Sequence, residues 1–294
     1  MILYAVRVVC DFDPVPPLPD RGETLRTLTL RSAGPLREFR QELRERFPLY
    51  RAHGREVFLH SDRPFGASGP ARPWAYEVDG IVTFFWRGGG ETIFYRLHEG
   101  GDIARLTFWF THLFFPFYLT LERRSEFLHA GAVERDGEAI LFLAPSLGGK
   151  STLTDYFLRR GSPLISDDKV ATYRQDDRFL VAASHPYHRP YRAFETLGQR
   201  ADSSVDRLLP LGALYLLEPS PPDAEVAIAP IHGFARFDRL MPHFLFQFPF
   251  LRPEQFRYLG ALLQRVPLYR VVVPRDLARL EEVRRTILGM ESTR

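Results

Sequence analysis

Leu128-His129-Ala-Gly-Ala-Val133, a turn at Asp136-Gly137, Ala139-Ile-Leu-Phe-Leu-Ala144, Pro-Ser-Leu-Gly-Gly149-Lys150-Ser151-Thr152 and then Leu164-Ile-Ser-Asp167-Asp168-Lys169 form the stretch that decides the fold. The run 139–144 is short, apolar and uninterrupted, as a buried strand is, and Asp-Gly before it signals a hairpin. Residues 127–134 are therefore expected to pair with it, antiparallel. Residues 145–149 form a short loop, and 151–160 space Leu153, Phe157 and Leu158 as a helix does. A helix start behind a glycine-bearing loop stabilises phosphate through its free N–H groups and dipole. In that setting Lys150 is a point charge for the β- and γ-phosphates, and the Ser151 hydroxyl is a Mg²⁺ ligand. Ser146, Gly148, Gly149, Lys150, Ser151 and Thr152 are the candidate nucleotide-binding residues. The stretch follows the pattern G-x-x-x-x-G-K-[ST] except at its first position, which is Ala144.

Residues 164–166 are a β-compatible run, so Asp167-Asp168 is expected at the carboxyl edge of a sheet, where α/β sites form. One carboxylate there can hold Mg²⁺ through water while the other accepts a proton from an attacking hydroxyl. Composition points to the same place. Lys150 and Lys169 are the two lysines of the chain, which has no asparagine and writes its other basic residues as arginine. A chain so biased keeps lysine where a compact ammonium cannot be replaced by a planar fork.

At 294 residues, 45% apolar and 14% aromatic, the chain can bury a large core in one or two domains. A net charge of +3, spread among acids, does not suggest a nucleic-acid partner. Cys10 is the single cysteine, which rules out an intrachain disulfide or a thiolate metal cluster and fits a reducing cytoplasm. No cleavable signal is read at residues 1–9. Residues 103–121 are nearly long enough to span a membrane, but Arg105, His112 and Pro116 interrupt them. They are expected to be a buried helix that ends or kinks at Pro116, with His112 as a hydrogen-bonded core residue.

Ahead of the helix, residues 1–100 read as a small α+β module that caps the rest or recognises substrate. Strands are expected over 2–9, 24–31, 57–60, 74–78, 81–86 and 92–97, the later ones a meander turning at Asp79-Gly80 and at the Gly88-Gly89-Gly90 run. An amphipathic helix is expected over 35–47. Beyond the central stretch, 179–183, 211–217, 224–229 and 268–273 read as strands, and 233–246, 253–264 and 277–288 as helices. Strands alternating with helices make residues 101–294 an α/β domain with a mixed sheet. Between them His185-Pro-Tyr-His188-Arg189-Pro-Tyr-Arg192 is stiff and basic. Its two histidines lack a third metal ligand nearby, and Arg189 and Arg192 are the candidate contacts to phosphate or to an acidic substrate.

The central stretch resembles the catalytic domain of the HPr kinase/phosphorylase family. The likeness rests on Leu128-His129, Gly149-Lys150-Ser151, Arg160-Gly161 and Leu164-Ile-Ser-Asp167-Asp168-Lys169-Val170. It implies a P-loop kinase fold similar to the nucleotide core of phosphoenolpyruvate carboxykinase, with ATP and Mg²⁺ as cofactors. It also implies Asp167 as general base, Ser151 and Asp168 as Mg²⁺ ligands, Lys150 on the phosphates and His129 beside the catalytic carboxylate. The arginine-glycine-rich signature that follows in HPr kinases has no counterpart after residue 172, which points away from HPr as the acceptor. Divergent relatives of this kind phosphorylate a serine of a precursor peptide, including the C-terminal serine of lasso peptides. A cytoplasmic kinase acting on a peptide or protein hydroxyl is thus the expectation, with no nucleic-acid or membrane partner and with a homo-oligomer compatible. The other readings are a small-molecule kinase, an HPr serine kinase and a nucleotide-binding regulatory protein without turnover. A eukaryotic-type protein kinase is excluded, since its catalytic loop needs an asparagine.

Overall fold

The computed structural model describes residues 1–33, 43, 45–61, 69, 73–189 and 194–289. The chain is mixed α/β and divides into two compact units. One is Met1–Arg124 with Arg192–Leu197 and Phe246–Pro253; the other is Ser125–Tyr191, Gly198–Leu245 and Glu254–Arg294.

In the first unit, β1 (Ile2–Leu3), β2 (Val6–Cys10), β3 (Arg26–Ser32), β4 (Glu45–Ala52), β5 (Arg55–Ser61), β6 (Trp74–Val78), β7 (Val82–Trp86) and β8 (Thr92–Leu97) form one sheet. Their order is β1-β2-β3-β8-β7-β6-β5-β4. Strands β5 to β8 are the expected antiparallel meander. The expected strand over 2–9 is instead a tight hairpin, because Tyr4 and Ala5 turn the chain with φ of 54° and 56°. Most of the helix expected over 35–47 lies outside the described residues. Its last three residues, 45–47, are strand, paired from Glu45↔Ser61 onward.

The aromatic run 103–121 is helical from end to end. It comprises α1 (Ile103–Trp109), a π-helical turn (Phe110–Phe114) and α2 (Phe115–Leu121), with Pro116 in the first turn of α2. Proline has no N–H to donate to the turn before it, and a widened turn absorbs that loss without stopping the helix. Phe114 stacks on Phe84 of β7 at 4.2 Å, and Trp74 and Tyr76 of β6 pack edge-on against Phe117 or tilted to it. This helix is the core cover of the first sheet. The unit boundary therefore falls after Arg124 and not near residue 100, where the sequence suggested it. His112 is buried and stacked on Phe108. Among the described residues no helix is long and apolar enough to cross a membrane.

The second unit contains β9 (Glu126–Leu128), β10 (Ala130–Arg135), β11 (Glu138–Leu143), α3 (Lys150–Arg159), β12 (Leu164–Ser166), β13 (Val170–Gln175), β14 (Arg178–Ala182), β15 (Tyr187–His188), β16 (Gln199–Arg200), β17 (Leu209–Ser220), β18 (Ile228–Pro230) and α4 (Ala235–Leu240). It continues with α5 (Arg252–Arg265, whose first two residues fall in the first unit), β19 (Leu268–Pro274) and α6 (Leu280–Gly289). The main sheet runs β12-β10-β11-β17-β14-β13-β9, with β19 on β17 and β18 on β19. Pairs β11/β17 and β17/β19 are parallel and the others antiparallel, so the sheet is mixed as expected. One face buries Leu141, Leu143, Leu214 and Leu216 with Leu259, Leu262 and Leu263 of α5. The other buries Phe142, Tyr215 and Val271 with Leu153 and Phe157 of α3 and Val283 and Ile287 of α6.

Three expectations are corrected here. Phe127 and Leu128 pair with β13 (Leu128↔Val170), so the strand expected over 127–134 divides at His129. The helix expected over 233–246 is α4 followed by a 3₁₀ turn, Met241–His243, around Pro242. The strand expected over 224–229 shrinks to β18, and β13 was not anticipated.

Helix α3 lies directly on β10 at Gly131, where a Cβ would come 2.0 Å from Thr154 Oγ1 and 3.2 Å from Thr154 Cβ. Gly131→Ala is expected to lower stability by about 1–3 kcal/mol through overpacking, and adding Thr154→Ala should recover part of that loss in the denaturation midpoint. In the first unit Glu77 meets His60 and Arg46. Burial alone would raise its pKa, but those two partners lower it to about 2. A depressed carboxyl stabilises the fold above its unfolded value and ceases to do so as pH falls through the folded one. The stability advantage of the native chain over Glu77→Gln should therefore vanish between pH 4.5 and about 2, as thermal melts would show.

Candidate functional site

Strand direction brings the site together. β10 is antiparallel to both β11 and β12, so β11 and β12 run the same way and end on one edge of the sheet. The start of β10 lies on that edge too, with Ala130 opposite Leu143 and Ala132 opposite Ser166. His129, the loop after Ala144 and Asp167-Asp168 consequently share it.

The loop 145–149 carries Ser146 and the exposed Leu147, and Gly148 N–H closes it by donating to Pro145 O at 2.9 Å. Gly149, at φ 89°, is the N-cap of α3 and offers no side-chain cap. The first-turn N–H groups thus start the helix without the usual capping oxygen. Lys150 is buried and turns back to donate from Nζ to Ala144 O at 3.1 Å. Burial lowers the pKa of its ammonium, and the charges of Asp168 and then Asp167 oppose that. Ser151 is half-buried in the first turn of α3, and Thr152 beside it is exposed.

The two carboxylates have different surroundings. Asp168 sits in the left-handed region at φ 72°, in a turn closed by Lys169 N–H to Asp167 O and by the Ser166 hydroxyl to Lys169 O. Its Oδ1 meets His129 Nε2 at 2.9 Å. Its Oδ2 accepts from the buried Lys169 Nζ at 2.7 Å, with Arg189 Nη2 at 3.5 Å. Asp167 has far less. Its Oδ2 accepts the main-chain N–H of Arg189 at 2.8 Å, while its Oδ1 is buried with no hydrogen-bond partner. Burial raises the pKa of Asp167 and the charge of Asp168 adds to this, against the Arg189 N–H and the charges of Arg189 and His188. Lys169 is lowered by burial, with Asp168 pulling the other way.

Two buried histidines join this neighbourhood: His243, which sequence reasoning missed, and His185, which it weighed only as a metal ligand. His243 accepts the His129 N–H through its carbonyl at 2.7 Å. Its imidazole is pushed down to about 4 by burial, with Lys150 and His129 adding to the effect. No sequence signal marked it, since it fell inside an expected helix. His185 is likewise pushed down to about 4 by burial, then by Arg189 and Lys169, and its Nδ1 accepts Tyr187 N–H at 3.3 Å. Of the two candidate arginines, Arg189 joins the cluster and Arg192 lies outside the described residues. Among the described residues no group of three or more His, Cys, Asp or Glu side chains is placed to hold a metal.

No family model matches the sequence, and no curated protein matches it. Among solved structures it is similar to the HPr(Ser) kinase/phosphatase from Coxiella burnetii, at 15% identity and a TM-score of 0.33. That match covers 56% of this chain and 98% of the other.

Removing the anion from this cluster leaves buried positive charge. Asp168→Asn is expected to cost about 3 kcal/mol of stability in a urea titration, toward the lower end for a broken buried pair because Asp168 is partly exposed. Lys169→Met, which leaves Asp168 with His129 and Arg189, should cost less than half as much.

Proposed function

We propose that the chain is an ATP- and Mg²⁺-dependent kinase that transfers a phosphoryl group to a hydroxyl, with a serine of a peptide as acceptor. The observation that carries this is the unpartnered, buried Oδ1 of Asp167, on the sheet edge shared with the uncapped start of α3, where Lys150 stands. Phosphoryl transfer asks a protein mainly for positioning and charge stabilisation, and these groups suit both tasks.

The first-turn N–H groups of α3 and the Lys150 ammonium hold the phosphates. Asp167 takes the acceptor's proton on Oδ1, and its raised proton affinity makes it a stronger base than an ordinary aspartate. Asp168 sits among His129, Lys169 and Arg189. Ser151 and Asp168 are hard oxygen donors of the type Mg²⁺ takes, and both Asp168 oxygens are already paired, so Asp168 acts through water. When bound, Mg²⁺ supplies charge neutralisation between the phosphates. Peptide serine as acceptor follows from the likeness of residues 128–170 to the HPr kinase family. A serine of a precursor peptide, such as the C-terminal serine of a lasso precursor, follows from the likeness to its divergent relatives.

Incubation with radiolabelled ATP, Mg²⁺ and synthetic precursor peptides tests this reading. Label is expected on peptide serine; label in low-mass products would mean a small-molecule kinase, and bound nucleotide without transfer a regulatory protein. Asp167→Asn should lower transfer by roughly 10²- to 10⁴-fold while nucleotide affinity is retained. Native turnover in that variant would remove Asp167 as base. Lys150→Ala should weaken nucleotide binding at least about tenfold, and an unchanged affinity would overturn the phosphate-loop reading.

A further inference from the structure

The Asp167 carboxylate is held by a main-chain group, and a glycine lies against the turn that carries that group. Arg189 N–H donates to Asp167 Oδ2 at 2.8 Å, which fixes the carboxylate plane and leaves Oδ1 on the other side. The segment bearing this N–H is itself fixed on both flanks. Before it, Ser184 N–H donates to Ile165 O at 3.0 Å, tying the segment to β12. Beside it, β15 pairs with β16 at Tyr187↔Arg200 and His188↔Gln199, and Ala201 N–H donates to Pro186 O. Gly198, at φ 90°, lies against the turn between His188 and Arg189. A Cβ on it would come 2.2 Å from His188 O, 2.6 Å from Arg189 Cγ and 2.9 Å from the His188 carbonyl carbon. Two of those atoms are backbone, so the clash cannot be relieved by rotating a side chain. The φ value is also one that only glycine adopts without strain.

We propose that Gly198 is a positioning residue for the phosphoryl-transfer site: its bare Cα admits the His188–Arg189 main chain, whose N–H then orients Asp167 so that Oδ1 faces the acceptor hydroxyl. This rests on the kinase reading given above. It assigns Arg189 a main-chain role that its side chain does not supply, besides the guanidinium contact to Asp168.

The test uses two changes to the full chain. Gly198→Ala forces the His188–Arg189 turn away; replacing the Arg189 amide by an ester removes the N–H without adding an atom or altering the guanidinium. Both should lower kcat about 10- to 100-fold while KM for ATP and for the peptide stays within about twofold, the signature of a misplaced reacting group. A merely structural glycine would lower the melting temperature and the amount of active enzyme without the ester variant following it. An ester variant with native kcat, or one that loses KM alone, overturns the proposal, even if Gly198→Ala fails to fold. If Asp167→Asn keeps native turnover, or the native chain transfers no phosphate, it is the kinase reading that falls. The positioning is then decided by a crystal structure of the ester variant. A rotated Asp167 carboxylate supports it, and one left in its native orientation refutes it.

Discussion

Two cations and an imidazole, from three parts of the chain, converge on Asp168, and the site depends on that convergence. His129 comes from the break between β9 and β10, Lys169 from the turn after β12, and Arg189 from the end of β15. Removing charges from water is costly, and the cluster persists because each partner meets the carboxylate directly and the turn around Asp168 is closed by its own hydrogen bonds. A single carboxylate thereby ties a hairpin, a strand end and a distant loop to one edge of the sheet.

Crowding at Asp168 explains the isolation of Asp167. With the cations spent on its neighbour, Asp167 retains one main-chain donor and one bare oxygen. Adjacent residues of the same type thus acquire different surroundings.

Much of this was legible in the letters. An uninterrupted apolar run, an Asp-Gly turn and a glycine-lysine-serine loop fixed β11, the hairpin and α3, because those features act over a few residues. The direction of β12, and with it the shared edge, followed from the same local signals. What stayed hidden was non-local. His129 divides an apparently continuous strand because Leu128 finds Val170 as its partner, a choice made across more than forty residues. The helix at 103–121 is apolar on every side, so nothing in its pattern says which sheet it covers; the aromatic rings of β6 and β7 decide that. Its π turn could not be inferred from Pro116 alone, since proline removes a donor without dictating how the helix repairs the loss. Gly198 carries no motif, and only the approach of the Arg189 backbone gives it meaning.

The first unit is not a contiguous piece of chain. Beyond Met1–Arg124 it needs Arg192–Leu197, where Glu195 accepts the Trp109 indole N–H at 2.9 Å and pairs with Arg105, and Phe246–Pro253, where Phe246 and Phe248 pack edge-on to Phe117. On the ribosome the N-terminal half therefore waits, with that aromatic surface incompletely covered, until residue 253 has been made. Cutting the gene at the apparent boundary after Arg124 would leave the second unit whole but strip the first of two of the segments that complete it.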